Sequence, residues 1–196
     1  MNIINILNKL QCNTAFAKPL EIVFSEYQFH NYHQLISFIT QIALKSENFY
    51  FTEESFTSTN KLINSFECMN IKQAEKLSKK GDKSIAAYIK KYGTVNDNNK
   101  YNYRERGLIR LKGKENYALY GKKLGIDLIQ SPYNAKRDYI AARIALEYWF
   151  HNKCNEKINN LEELTRTVQG NIYSIDKIIE MINIIKSPNQ KGDINA

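Results

Sequence analysis

Apolar side chains recur at helical spacing along most of this 196-residue chain. In residues 33–46, for example, Leu35, Ile39 and Ile42 are separated by four and then three positions. That spacing places them on one face of a helix, which can then pack against a core. The same pattern predicts further helices over residues 1–11, 59–66, 71–79, 82–91, 114–124, 136–150, 160–168 and 174–186. We therefore predict an all-α, or α-rich, fold.

Few segments interrupt the helical pattern. No two-residue turn signal indicates paired strands, so we expect extended chain only in short pieces near residues 49–56 and 101–111. Residues 93–100 are polar and rich in asparagine, which predicts an exposed loop.

The domain organisation is expected to be simple. No linker or internal repeat divides the sequence, so we predict one domain over residues 1–196, with a short N-terminal helix within residues 1–15. Ser187-Pro188 should end the last helix, because proline lacks the amide hydrogen that a helix needs. We expect residues 187–196 to form a disordered tail.

The chain is basic. It has 28 Lys and Arg against 20 Asp and Glu, a net charge of +8, which favours anionic partners such as nucleic acid, anionic lipid or a wall polymer. The lysines are spread along the sequence, so a solvated basic surface is the simpler interpretation, and nucleic acid is only an alternative partner. No apolar run approaches the roughly 20 residues of a membrane-spanning helix, so we expect no membrane span.

The cysteines suggest no special chemistry. Cys12, Cys68 and Cys154 are isolated, without the spacing of a metal site, so we expect no metal site. Ala15-Phe16-Ala17 resembles a signal-peptide cleavage site, but the residues before it are too polar for a convincing signal peptide. We therefore expect a cytoplasmic protein, or one that is exported by a non-classical or specialised route.

Two motifs carry more information than the periodicity. Residues 38–49 read FITQIALKSENF and are followed by Thr52-Glu53-Glu54, and residues 103–117 read YRERGLIRLKGKENY. They resemble the segments F-L-A-Q-I-A-H-E-S-G-G-F … T-E-E and Y-R-G-R-G-x-I-Q-L-T-G-x-x-N-Y of glycoside hydrolase family 19, which holds chitinases and phage-type endolysins. Further matches follow in the family's order, so the resemblance covers about residues 30–186.

The resemblance implies a fold and a reaction. The fold would be a lysozyme-like, two-lobed helical domain with a cleft. The substrate would be a β-1,4-linked N-acetylhexosamine polymer, either chitin or peptidoglycan. The mechanism would be inverting: a carboxylic acid protonates the leaving oxygen while a second carboxylate activates water, with no cofactor.

The matched catalytic positions depart from the family. Lys45 replaces the general-acid glutamate, and an ordinary lysine titrates near pH ~10.4 and places positive charge beside a cationic transition state. Glu54 keeps the position of the base. Glu47 replaces a glycine two residues after Lys45 and is a candidate substitute acid, although two residues of helix would turn it by about 200°.

The matched substrate-binding positions are also altered. Arg110 stands where the family has glutamine and Lys112 where it has threonine or serine, and these cations suit phosphate or carboxylate better than neutral sugar. We expect Lys45, Arg110 and Lys112 to face one another. The resemblance implies that substrate-binding residues are Tyr103, Arg106, Arg110, Lys112, Asn116, Tyr117 and Gln169.

Residues that build the fold are retained, whereas residues that perform the chemistry are lost. We therefore predict a degenerate, catalytically impaired member of family 19 type. It would use the former substrate cleft to bind a cell-wall glycan, another anionic ligand or a protein partner. One alternative is an active inverting hydrolase that uses Glu54 with Glu47 as a relocated acid. The other is a basic nucleic-acid-binding module.

Overall fold

A computed structural model describes residues 2–27, 29 and 31–188. The all-α prediction is confirmed, because the regular structure of these residues is helical apart from two isolated β-bridges. The α-helices are α1 (Ile3–Lys9), α2 (Ala17–Glu26), α3 (Tyr32–Lys45), α4 (Thr59–Ser65), α5 (Ile71–Ser78), α6 (Asp82–Tyr92), α7 (Val95–Asn102), α8 (Lys114–Leu124), α9 (Asp138–His151), α10 (Leu161–Gln169) and α11 (Ile175–Lys186). Short 3₁₀ turns lie at Thr14–Phe16, Pro132–Lys136 and Cys154–Lys157.

The chain forms two compact units, and the first unit comprises residues 1–50 with 148–196. Its central element is α3, which contacts α10 and α11 and is buried on most of its surface. The ring of Phe38 lies 5.4 Å from that of Phe24 and 5.2 Å from that of Trp149, both in edge-to-face geometry. Such aromatic pairs add to the free energy gained by burial. Trp149 is fully buried, as the apolar face of its helix predicts.

The second unit comprises residues 51–147. Its helices α4 to α7 enclose an apolar cluster in which the rings of Phe56 and Phe66 lie 4.8 Å apart. Leu77 from α5 and Ile85 and Ile89 from α6 are buried in the same cluster. The segments that precede and follow this cluster along the chain carry the charged residues described below.

The prediction of an exposed loop over residues 93–100 is wrong, because α7 occupies Val95–Asn102. Thr94 and Asp97 form a capping box, in which each side chain accepts a hydrogen bond from the other's backbone amide. The Asp97 carboxylate is fully buried and also accepts from the amides of Glu67 and Cys68. These tertiary contacts outweigh the low helix propensity of an asparagine-rich segment.

Other differences concern the ends of the chain. The periodicity does not predict α2, in which proline occupies the third helical position. The predicted N-terminal helix is shorter, and a 3₁₀ turn follows it. The last helix ends at Lys186, as Ser187-Pro188 predicts, but residues 189–196 of the predicted tail lie outside the described residues.

The last two features of the fold concern the cysteine thiols and the length of the helices. The three cysteines are free thiols; Cys12 and Cys154 are buried and Cys68 is half-buried. Burial raises the pKa of Cys12 and Cys154 to about 12. Over the part of the chain that the structure describes, every helix is too short or too polar to cross a bilayer.

Candidate functional site

Two segments of the second unit run antiparallel and carry most of the predicted site residues. The bridge partners are Glu53 and Arg106, and the amide of Glu54 donates to the carbonyl of Glu105 at 2.8 Å. The amide of Gly107 donates to the carbonyl of Thr52 at 2.9 Å. Extended chain places successive side chains on opposite sides. Glu53 therefore lies on the same side as Arg104 and Arg106, whereas Glu54 lies on the other side with Glu105.

A tight turn returns the second segment along itself. Arg106 exchanges both backbone hydrogen bonds with Leu111, across a turn in which Gly107 has φ +68°. A side chain at Gly107 would meet the carbonyl oxygen of Ala135 at 2.5 Å, so only glycine fits there. Arg110 also has positive φ, +53°, in the left-handed region that residues other than glycine rarely adopt.

The inner cluster consists of Glu53, Asp82, Arg104, Arg106 and Lys136. One oxygen of Glu53 accepts from Arg104 and from Arg106, each at 2.7 Å. Its other oxygen accepts from Lys136 at 2.7 Å, and Asp82 lies 3.3 Å from Arg104. Both arginines are only 5% exposed. The inner cluster is therefore a network of paired charges in which Glu53 and the two arginines are largely enclosed, while the Asp82 side chain at its edge is 51% exposed.

Two tyrosines complete the inner cluster. The hydroxyl of Tyr117 donates to the carbonyl of Arg104 at 2.8 Å and accepts from Arg106 at 3.0 Å. Tyr117 is fully buried, and its ring lies 5.3 Å from that of Tyr103, which is also buried. Tyr103, Arg106 and Tyr117 were predicted to bind substrate, and all three are buried. Arg106 joins the two bridged segments through Glu53, whereas the hydroxyl of Tyr103 donates to the carbonyl of Ile129 at 3.3 Å.

The electrostatics of the inner cluster keep Glu53 ionised. Partial burial acts to raise the pKa of Glu53, but the hydrogen bond from Lys136 and the charges of Arg104 and Arg106 outweigh it. The net result is a pKa below the ordinary value of 4.5. Glu53 is therefore a carboxylate at neutral pH and is unsuited to donate a proton.

The outer face consists of Glu54, Lys61, Glu105, Arg110 and Lys112. Glu54 pairs with Lys61 at 3.1 Å and accepts a long hydrogen bond, 3.4 Å, from the amide of Glu105. The Glu105 carboxylate lies 3.6 Å from Arg110 and 3.4 Å from Lys112. These side chains are partly exposed, and Lys112 is 59% exposed. The structure thus brings Glu54, Arg110 and Lys112 onto one accessible face.

A cavity of about 210 Å³ opens beside Glu54. Its lining includes Lys100, Lys112, Asn64 and the ring of Phe56. Asn116, another predicted binding residue, is exposed and donates to the carbonyl of Lys112 at 2.8 Å, which fixes the backbone beside the cavity. The guanidinium of Arg110 stacks 4.0 Å from the centre of the Phe51 ring. Cations, an amide and an aromatic ring therefore surround one carboxylate.

The other predicted catalytic residues lie in the first unit. Lys45 is the last residue of α3 and is half-buried; there its charge also complements the helix dipole. Glu47, Asn48 and Phe49 follow with φ of +52°, +56° and +66°. The family's two glycines match Glu47 and Asn48, which explains glycine there, since left-handed backbone disfavours other residues. Glu47 is exposed and outside the helix, so the expected 200° turn does not apply.

Gln169 has an internal role in the first unit. Its amide nitrogen donates to the backbone carbonyl of Gln41 at 2.8 Å and to the side-chain oxygen of Gln41 at 3.0 Å. Gln41 in turn donates to Thr165 at 2.9 Å and is fully buried. These bonds fasten α10 to α3. Substrate binding by Gln169 stays a prediction. The expectation that Lys45, Arg110 and Lys112 face one another also stays a prediction.

The inner cluster was not predicted from the sequence. Glu54 was predicted as the catalytic base, whereas its neighbour Glu53 was given no role and Arg104 was not singled out. A signal was nevertheless present, because Arg104 and Arg106 flank Glu105 with the two-residue period of extended chain. That period suggests two arginines on one side of a strand, and their burial requires an acidic partner.

Solved structures of known proteins resemble this chain in fold. No protein-family model matches the chain. Two solved structures are similar over nearly all of it: chitinase C from Streptomyces griseus HUT6037, with a TM-score of 0.58 and 18% identity over 96% of this chain and 77% of that one, and a bacterial family 19 chitinase, with a TM-score of 0.59 and 16% identity over 93% of each chain. The fold is that of the family 19 chitinases. The lysozyme-like helical fold that the motifs predicted is confirmed.

A curated relative supports the same resemblance. A Haemophilus influenzae protein described as a glycosyl hydrolase family 19 domain-containing protein is 37% identical over 79 residues. The match covers 39% of this chain and 38% of that protein, so the chain spans about two fifths of its relative's length. The resemblance to family 19 is thereby confirmed, and by its fold the chain is chitinase-like.

Proposed function

We propose that this chain binds a cell-wall glycan of the peptidoglycan type through the outer face and is strongly impaired as a hydrolase. The observation that carries the proposal is the setting of Glu54, whose oxygens are engaged by Lys61 and the Glu105 amide. An inverting base must hold the attacking water, and these contacts compete for the oxygens that would hold it. The surrounding cations suit the carboxylates of peptidoglycan better than uncharged chitin.

The replacement of the general acid supports impairment. General acid catalysis contributes about 10²–10⁴-fold, and Lys45 stands at the position that the family motif gives to the acid. At the end of α3 the positive charge of Lys45 complements the helix dipole. A residue that serves only as a proton donor does not require this structural role.

The test of impairment is glycan cleavage by the wild type and by Lys45→Glu, with peptidoglycan sacculi and chitin oligosaccharides as substrates and product masses as the readout. We expect no cleavage by the wild type and a gain of activity in Lys45→Glu. Lys177→Glu, which changes the same charge at an exposed position of α11, is the matched control and should gain nothing. Efficient cleavage by the wild type would overturn the proposal.

The test of binding is co-sedimentation with sacculi. Replacing Arg110 with Gln and Lys112 with Thr removes two cations from the outer face, and we expect affinity to fall roughly tenfold or more. The double variant Lys18→Gln and Lys177→Gln removes two exposed cations of the first unit and should bind like the wild type. If all three proteins bind sacculi with equal affinity, the outer face is not the binding site.

A second candidate function is hydrolysis with Glu47 as acid and Glu54 as base. One observation favours it: Glu47 keeps a left-handed conformation in which glycine would be less strained, and such conformations concentrate at functional sites. If it holds, the wild type is active and Glu47→Gln loses about 10²-fold or more. Under the impaired function, Glu47→Gly instead raises the unfolding free energy by about 1 kcal/mol and changes nothing else.

A further inference from the structure

Much of the chain's positive charge lies in one short segment. Residues 71–92, which form α5 and α6, carry seven lysines against Glu75 and Asp82, a net +5 of the chain's +8. The expected spread of lysines along the chain is therefore wrong here. All seven are exposed, and within the described part of the chain none of them pairs with a carboxylate. Such an uncompensated patch attracts anions.

These two helices also form a pocket of about 420 Å³, which shares no lining residue with the cavity beside Glu54. Leu77 and Ala87 contribute apolar lining, and Tyr88 and Tyr92 contribute aromatic rings. The two rings lie 4.8 Å apart and are tilted by 44°. The volume is within the range of small-molecule pockets, so the pocket can admit a single ring of a ligand.

The polar groups of the pocket are of two kinds. Lys76, Lys80 and Lys91 contribute ammonium groups, which suit phosphate. The oxygen of the Gln73 amide accepts from the Asn70 backbone, which leaves its nitrogen to donate, and the Ser84 hydroxyl donates to the Lys80 carbonyl, which leaves its oxygen to accept. One donor and one acceptor together suit the hydroxyls of a sugar. Phosphate-binding and sugar-binding groups therefore share one apolar-floored pocket.

We propose that the α5–α6 pocket binds a phosphate-bearing sugar polymer, with a sugar ring against Tyr88 and Tyr92 and phosphates on Lys76, Lys80 and Lys91. The geometry favours a sugar over a nucleobase. Two tyrosine rings tilted by 44° and only 4.8 Å apart form a wedge that is too narrow to hold a planar base between parallel faces, whereas the amide and the hydroxyl beside it suit the hydroxyls of a sugar. The site is separate from the outer face and goes beyond the proposed function.

The experiment measures equilibrium binding of four probes: poly(ribitol phosphate) bearing N-acetylglucosamine, inorganic polyphosphate, single-stranded DNA of equal charge, and chitohexaose. We expect the sugar–phosphate polymer to bind at least tenfold more tightly than each of the others. Tighter binding of DNA would overturn the assignment to sugar, and equal binding of polyphosphate would show that the site recognises charge alone.

Variants locate the site. Lys76→Gln, Lys80→Gln and Lys91→Gln together should lower affinity at least tenfold and reduce the slope of log K against log salt by roughly 2, because three phosphate contacts are lost. The control Lys18→Gln, Lys177→Gln and Lys186→Gln removes the same charge from exposed positions and should keep the slope. An unchanged slope in the first triple variant would exclude the pocket.

The aromatic contribution has its own pair of variants. Tyr92, which is 55% exposed, can be replaced without opening the core. Tyr92→Ala should weaken polymer binding severalfold, Tyr92→Phe should restore it, and Tyr173→Ala, at a position 93% exposed, should have no effect. The variant Lys76→Gln, Lys80→Gln and Lys91→Gln should keep the wild-type co-sedimentation with sacculi stripped of phosphate polymers, because these lysines lie outside the outer face, so that failure here and failure of the proposed function are distinguishable. If Tyr92→Ala binds like the wild type, the tyrosine wedge is not the sugar site.

Discussion

Glu53 and Glu54 are adjacent in the chain, yet their carboxylates have opposite surroundings. Glu53 meets Arg104, Arg106 and Lys136 inside the second unit, each at 2.7 Å. Glu54 lies on the accessible side and pairs with Lys61, whose side chain is 40% exposed. Each carboxylate belongs to a group of three cations and two acids. The number of charges therefore does not distinguish the buried inner cluster from the accessible outer face, whereas burial and pairing geometry do.

The difference has a mechanical consequence. The inner cluster ties the two bridged segments and the 3₁₀ turn at Pro132–Lys136 together, because a single carboxylate receives donors from both. The outer face is built on the opposite side of the same backbone. The buried inner cluster thus fixes the backbone on which the outer face is built.

The largest expected effect comes from breaking the inner cluster. Glu53→Gln removes the carboxylate that Arg104, Arg106 and Lys136 share, leaving Arg104 only its contact with Asp82, and we expect the unfolding free energy to fall by about 3–5 kcal/mol. Urea unfolding monitored by circular dichroism measures it. If the unfolding free energy falls by less than about 1 kcal/mol, the inner cluster contributes no more to stability than an ion pair on the surface.

Acid titration tests the same carboxylate by its protonation. Because the pKa of folded Glu53 lies below the ordinary value of 4.5, its stabilisation is complete above that pH and is lost as pH falls through the lower, folded-state pKa. Asp97 behaves alike, since backbone hydrogen bonds outweigh the burial that acts to raise its pKa. The stability gap between wild type and Glu53→Gln should therefore narrow below about pH 4.5. A constant gap would contradict the assignment to Glu53.

A smaller effect is expected from the hydroxyl that completes the inner cluster. Tyr117→Phe removes a donor to the Arg104 carbonyl and an acceptor for Arg106, which should cost about 1–3 kcal/mol. Tyr173→Phe, at a position 93% exposed, is the control for the same chemical change and should cost nothing measurable. Thermal unfolding of both variants gives the comparison; equal melting temperatures would show that the hydroxyl carries no stability.

The smallest stability effect is expected from the outer face. Glu54→Gln breaks a partly exposed ion pair with Lys61, and such pairs contribute below about 1 kcal/mol. The unfolding midpoint should stay close to that of the wild type while binding to sacculi changes. A loss as large as that of Glu53→Gln would remove the distinction between the two carboxylates.

Several features were predictable because they depend on local sequence. The helical periodicity of α3 and of α8 to α11 gave bounds within two residues, and Trp149 was correctly placed in the core. The motifs predicted the fold that the comparisons confirm. The lysine-rich composition of α5 and α6 was visible in the sequence but became informative only once the pocket between the two helices was known.

Other features needed tertiary contacts. The helix over Val95–Asn102 forms because the Asp97 carboxylate reaches amides 30 and 29 residues earlier in the chain, which no local propensity contains. Similarly, the burial of Arg104 and Arg106 depends on an acid 51 to 53 positions away. A propensity argument has no access to pairings of this length.

By itself the sequence determined the helical fold and placed Lys45 where the matched family motif has glutamate, because both follow from residue types and their order. Only the tertiary structure decided which of two adjacent glutamates is internal and which lies on the accessible face. The physical reason is that alternation along extended chain sends neighbours to opposite sides, and the pairing register with residues 104–106 selects the side that is buried.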